Sequence, residues 1–169
     1  MEHFFKELSK KENGKLSFSS KNVASGIGVR SPYDVYNLQL NYKHHKIIIR
    51  NEIGVANIGS VFCKIPIYNN QSDFSIRTLS HFFKIFKKDK KSFVIECENA
   101  NLIKFISSLS SINNLELLTL NTQFELSIYG EYINNGLEIK TEYNLIFENR
   151  ENVLTELIQF YKDLINKLV

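Results

Sequence analysis

Tryptophan is absent from this chain, methionine occurs once, and only two prolines and seven glycines are spread over 169 residues. So few backbone breakers argue against a linker-rich chain. Cysteine is equally scarce: Cys63 and Cys97 stand 34 positions apart with no CxxC spacing. Each lies in an alternating apolar run, VFCKI and FVIEC, so both are expected to be free, buried thiols. No stretch of ~18 apolar residues could span a bilayer. The opening MEHFFKELSKK lacks the basic start and apolar stretch of a signal peptide, and the expectation is a soluble, cytoplasmic protein.

What is present suits one globular domain covering 1–169. Hydrophobic residues make up 43% and aromatics 12%, enough to bury a core without disulfide or metal staples. Net charge is only +3 but is unevenly placed. Residues 1–91 carry 16 Lys+Arg against 7 Asp+Glu, a net +9, and residues 92–169 carry 5 against 11, a net −6. Such a split marks either a partner surface, a head-to-tail contact, or two halves that fold together and share their charges.

Hydrophobic periodicity orders the chain. Phe4, Phe5 and Leu8 share one helical face, so the start reads as a short helix. Residues 11–32, rich in Lys, Ser, Asn and Gly, read as an irregular or flexible N-terminal arm, and the Gly26-Ile27-Gly28 triplet lacks the strand-to-helix setting of a phosphate cradle. Tyr36, Leu38, Leu40 and Tyr42 alternate with polar residues, and a turn at His44-His45 predicts a hairpin pairing Tyr42 with Ile47 and Leu40 with Ile49. That register turns Ile48 to the outer face. Val61, Cys63, Ile65 and Ile67 predict a third strand, with Pro66 placing it at an edge or terminating it.

Residues 75–88 are expected to be helical from Ile76, Leu79, Phe82, Phe83 and Phe86, although FSIRT could begin as strand. Phe93, Ile95 and Cys97 predict a strand. Asn99 then caps a helix through Leu102, Phe105, Ile106 and Leu109, and LELLTL is ambiguous between helix and strand. Asn135-Gly136 predicts a type I′ hairpin over 124–147, pairing Tyr132 with Ile139 and Leu126 with Leu145, and setting Glu131 opposite Lys140. The stripe from Leu154 through Leu157, Ile158, Tyr161, Leu164, Ile165 and Leu168 predicts a long closing helix. The sum is an α+β fold: a mainly antiparallel sheet built from two hairpins plus additional strands, covered by amphipathic helices.

Chemical motifs are sparse. Adjacent strand side chains point to opposite faces, so His44 and His45 cannot converge on a metal within a ladder, and His3 and His81 lie in separate segments without HExxH spacing. No GxSxG motif is present, and the apolar surroundings of Cys97 would raise its pKa. Glu96 and Glu98 share one solvated strand face, with no reason to split their pKa values as acid-base catalysis requires. A non-catalytic protein without cofactor or metal is the expectation.

Two surfaces stand out. The outer face of the second hairpin gathers Glu125, Tyr129, Glu131, Ile133, Glu138 and Glu142, an acidic strip with exposed Tyr and Ile suited to a protein partner or to self-association. The run KIFKKDKK places Lys84, Lys87, Lys88 and Lys91 on one helical face, the alternative being contact with nucleic acid or an anionic surface. A further alternative is a carrier of a small apolar ligand, with a cavity between sheet and helices.

Overall fold

The computed structural model describes residues 1–25, 29–66, 72–79, 92–122, 124–133, 136–147 and 149–169. Helix α1 (Glu2–Lys11) precedes four strands in succession: β1 (Lys15–Ser25), β2 (Val29–Tyr42), β3 (His45–Ile53) and β4 (Ile58–Pro66). After β5 (Phe74–Thr78) and β6 (Phe93–Cys97) come helices α2 (Ala100–Ser108) and α3 (Ser110–Asn121), the hairpin β7 (Leu126–Ile133) and β8 (Gly136–Asn144), and helix α4 (Arg150–Leu168). The strands form one antiparallel sheet in the order β1-β2-β3-β4-β8-β7-β5-β6. The fold is α+β, with the sheet and the long last helix that the periodicity predicts.

Several local expectations need correction. Residues 15–25 and 29–32, expected within an irregular arm, belong to the β1-β2 hairpin, which pairs from Lys15 with Gln39 to Ser25 with Val29. As an edge strand, β1 buries little, and its polar sequence hides the alternation. The β2-β3 turn falls at Lys43-His44, with φ of 46° and 67°, not at His44-His45. Tyr42 therefore pairs with His45 and Leu40 with Ile47, a slip of two from the expected register. The second hairpin slips by two as well: Ile133 pairs with Gly136, Tyr132 with Leu137, Leu126 with Tyr143, and Glu131 with Glu138 rather than Lys140. Because side chains alternate with period two, both slips leave every residue on its expected face.

Residues 74–78 take the strand option, and the rest of the expected helix, 80–88, lies outside the described residues. Strand β4 sits inside the sheet with Pro66 as its last residue, so the proline terminates it. LELLTL is helical within α3. The Asn99 carboxamide caps α2 as expected, accepting from Asn101 N at 3.0 Å and Leu102 N at 3.2 Å.

The four helices of the described residues pack on one face of the sheet. Phe5, Leu102, Ile106, Ile112, Leu115 and eight residues of α4 join a single core with Leu38, Ile49, Val61, Cys63, Ile76, Ile128 and Ile139. Burial of each large aliphatic side chain contributes about 1.5–3 kcal/mol, so α4 is the principal cover. Its Tyr161 sends a hydroxyl to the sheet centre, 2.9 Å from Thr141 Oγ1 and 3.0 Å from the Val61 carbonyl. Beside it, Tyr143 donates to Asn51 Oδ1 at 2.6 Å and lies over Gly59, where an added Cβ would fall 2.2 Å from the ring. Lys162 of α4 and Glu12, just after α1, form a largely buried ion pair at 2.6 Å. With Lys64–Glu138 at 2.7 Å, it joins the basic and acidic halves of the chain.

Candidate protein-contact surface

Among the described residues, no helix lies over the opposite face of the sheet. Successive pairings trace one row across the eight described strands: Lys15, Gln39, Ile48, Phe62, Lys140, Tyr129, Ser75 and Glu96. Ile48 is 39% exposed and Tyr129 38%, with half-buried Phe62 and exposed Lys140 between them. Ile58 and Ile133, at 50% and 37%, flank the row. Ile48 thus faces outward as the alternation predicts. The strands place these side chains here because each inward neighbour, such as Ile47, Cys63, Ile128 or Ile139, is claimed by the core.

All six residues of the expected acidic strip lie on this face. Tyr129 pairs with Lys140, Glu131 with Glu138, and Ser127 with Glu142, while Glu125 and Ile133 bound the strip at either end of β7. The arrangement survives the two-residue slip. Two of its carboxylates are already engaged, Glu138 by Lys64 at 2.7 Å and Glu142 by Lys140 at 2.6 Å. Sequence alternation missed Phe62, Lys46 and Lys64 as neighbours of the strip. Only the long-range pairing of β4 with β8 brings them there, and no local signal announces it.

Charge is divided across the face as it is along the chain. Strands β1 to β4 present Lys15, Lys21, Lys46, Arg50 and Lys64 against Glu52. The other half presents Asp73, Glu96, Glu125, Glu131, Glu138 and Glu142 against Arg77 and Lys140. Internal pairs do not erase the division. Arg50–Glu52 at 2.6 Å and Arg77–Glu96 at 2.5 Å each close within one half. Glu52 is held below the usual carboxylate range by the Tyr33 hydroxyl and then by Arg50, and Glu96 by Arg77 and then Ser75. Among the described residues Lys46, Glu125 and Glu131 take no part in any ion pair.

A cleft of about 470 Å³ opens at the acidic end, lined by Asp73, Ser75, Glu96, Cys97, Glu98, Tyr129 and Glu131. Two further clefts, of about 280 and 520 Å³, include Glu116 and Asp163 in their walls. Glu116 accepts from the backbone N–H groups of Ser92 and Phe93, sealing the start of the edge strand β6. Burial pushes the Cys63 thiol up to about 12, while Cys97, on the strand beside the acidic cleft, is only partly buried. His44 is an exposed turn residue and His45 opens β3. Lys84, Lys87, Lys88, Lys91 and His81 lie outside the described residues.

Comparison with known proteins gives no match among protein-family models, curated proteins or solved structures.

Proposed function

We propose that the protein works without catalysis, by protein contact through the sheet face that no described helix covers. The observation that carries this reading is the row Ile48, Phe62, Lys140, Tyr129. It sets Ile48 and Phe62 on the β4 side of the β4-β8 junction and Tyr129, beyond Lys140, on the β8 side, among charges of both signs and with no described helix over them. A buried sheet face normally demands apolar residues and a solvated one polar residues. This face combines exposed anchors with a charged surround, the composition of a contact centre inside a polar rim.

The chemistry of the three clefts supports the same direction. Each has a carboxylate in its wall, which suits polar or cationic groups better than an uncharged apolar ligand. Glu96 is tied to Arg77 and Ser75, a structural use of its charge.

The test replaces Tyr129 and Glu131 together with Ser. Both are exposed, so circular dichroism and the unfolding midpoint should stay unchanged while retention of protein partners in an affinity pull-down falls. Undiminished retention would remove the acidic half of the face from the account.

A further inference from the structure

The charge division of the open face fits a second copy of the same chain, and we infer that two copies pack sheet to sheet about a twofold axis parallel to the strands, between β4 and β8. This rests on the contact reading above and names its partner. A rotation about that axis keeps each cross-strand row at its own height and reverses the strand order, so β4 meets β8 of the partner and β3 meets β7. The basic half of each copy then covers the acidic half of the other. A twofold perpendicular to the strands in the same plane would set like charges together, and so would simple stacking in any orientation that laid β1 over β1.

The rows match residue by residue. In the central row, Ile48 opposes Tyr129 of the partner subunit, and Phe62 opposes Lys140 of the partner subunit, an aliphatic-aromatic contact and a cation over a ring. One row along, Lys46 meets Glu131 of the partner subunit, and each lacks an ion pair within its own chain among the described residues. Lys64 and Glu138, already paired at 2.7 Å, meet the same pair turned round and close a four-charge network. At the far end Glu52 approaches Glu125 of the partner subunit, the one like-signed meeting. It is softened because Glu52 is already bound by Arg50 and Tyr33.

Strand twist limits the contact. Neighbouring strands rotate by about 20–25°, so two eight-stranded sheets touch only through their middle strands, here β3, β4, β8 and β7. Four strands spaced by about 4.8 Å, over about eight residues of 3.3 Å each, give a footprint of about 500 Å². Two copies remove roughly 1,000 Å² from water, the lower end of specific interfaces, so a weak dimer is expected and the concentration range to scan runs from about 1 to several hundred µM.

Sedimentation equilibrium of the purified full chain across this range, at low and high salt, tests the inference. The wild type should dimerise and weaken as salt is added. Lys46→Glu and Glu131→Lys should each weaken dimerisation by about tenfold or more, because each places two like-charged pairs in the symmetric contact. Mixing the two variants should restore it, since each introduced charge then faces its opposite and the two unaltered residues face each other. A chain that stays monomeric to several hundred micromolar overturns the inference, as does a dimer that neither variant disturbs. If the monomer still binds another protein in a way that Tyr129 and Glu131 control, the contact reading stands and only the second copy is refuted. If it does neither, both fail.

Discussion

Removal of one oxygen atom from Tyr161 should cost the protein about 2 kcal/mol. In Tyr161→Phe the ring keeps its place in the core, so packing is preserved and only the hydroxyl's partners change. That hydroxyl lies 2.9 Å from Thr141 Oγ1 and 3.0 Å from the Val61 carbonyl, with the Ile139 carbonyl at 3.4 Å. Both side chains are fully buried. A buried neutral hydrogen bond is worth about 1 kcal/mol net, and leaving a buried hydroxyl without its partner adds about 1–3 kcal/mol, partly offset by local relaxation. In a chain of this size about 2 kcal/mol lowers Tm by roughly 4–8 °C. Urea denaturation followed by circular dichroism should show a lower midpoint with an unchanged slope. Thr141→Val removes the partner at constant volume, so the double variant should cost about 1 kcal/mol less than the two single changes together. A Tyr161→Phe cost below about 0.5 kcal/mol, or strict additivity in the double variant, would refute the view that this hydroxyl fastens α4 to the sheet centre.

Gly59→Ala should destabilise by about 2–3 kcal/mol, because its Cβ would stand 2.2 Å from the buried Tyr143 ring. Gly136→Ala, whose nearest contacts would be 3.3 Å away, should cost less than about 1 kcal/mol, and paired urea titrations separate the two. Asn99→Ala strands two helix N–H groups and should cost about 1 kcal/mol by the same assay. Stability should also fall in alkali. Burial raises Tyr143 and Tyr161 above the ordinary tyrosine range and Cys63 to about 12, so the folded chain retains protons that the unfolded chain releases. The contribution of these groups is complete below pH ~8.5 and declines as the pH passes the unfolded values, by about 1.4 kcal/mol per unit for each group. Urea midpoints that stay flat from pH 8 to pH 11 would contradict this.

How far local pattern carries is visible in the two hairpins. Alternation assigned Tyr36, Leu38 and Leu40 to the core and Ile48 to the open face correctly, because burial obeys a period of two. It could not detect a slip of two, which leaves every face unchanged. Lys43-His44 carries neither Asn nor Gly, so its positive φ values had no turn signature to announce them. In the second hairpin the Asn-Gly signature pointed past the pairing of Ile133 with Gly136, where Gly136 lies close against Lys64 and Ile65 of β4. Strand β1 escaped notice for a different reason. Its helix-side residues Leu16 and Phe18 alone carry apolar weight at the pairing with β2, and Phe18 remains 45% exposed. Of the proposed contact face, the strip Glu125, Tyr129, Glu131, Ile133, Glu138 and Glu142 was legible because it belongs to one hairpin. Phe62, Lys46 and Lys64 were not, since they reach it only through the β4-β8 pairing of residues 74 positions apart, as in Lys64–Glu138.

Hydroxyl-radical footprinting in native cell extract, against the dilute purified protein, tests most directly whether the sheet face opposite the described helices is the contact surface. Leu117 and Leu120 on α3, 56% and 44% exposed, serve as the control on the opposite side. The account predicts that Phe62 and Tyr129 lose reactivity in the extract while Leu117 and Leu120 keep theirs. Protection of the two leucines with Phe62 and Tyr129 unchanged would contradict it and move the contact to the helices.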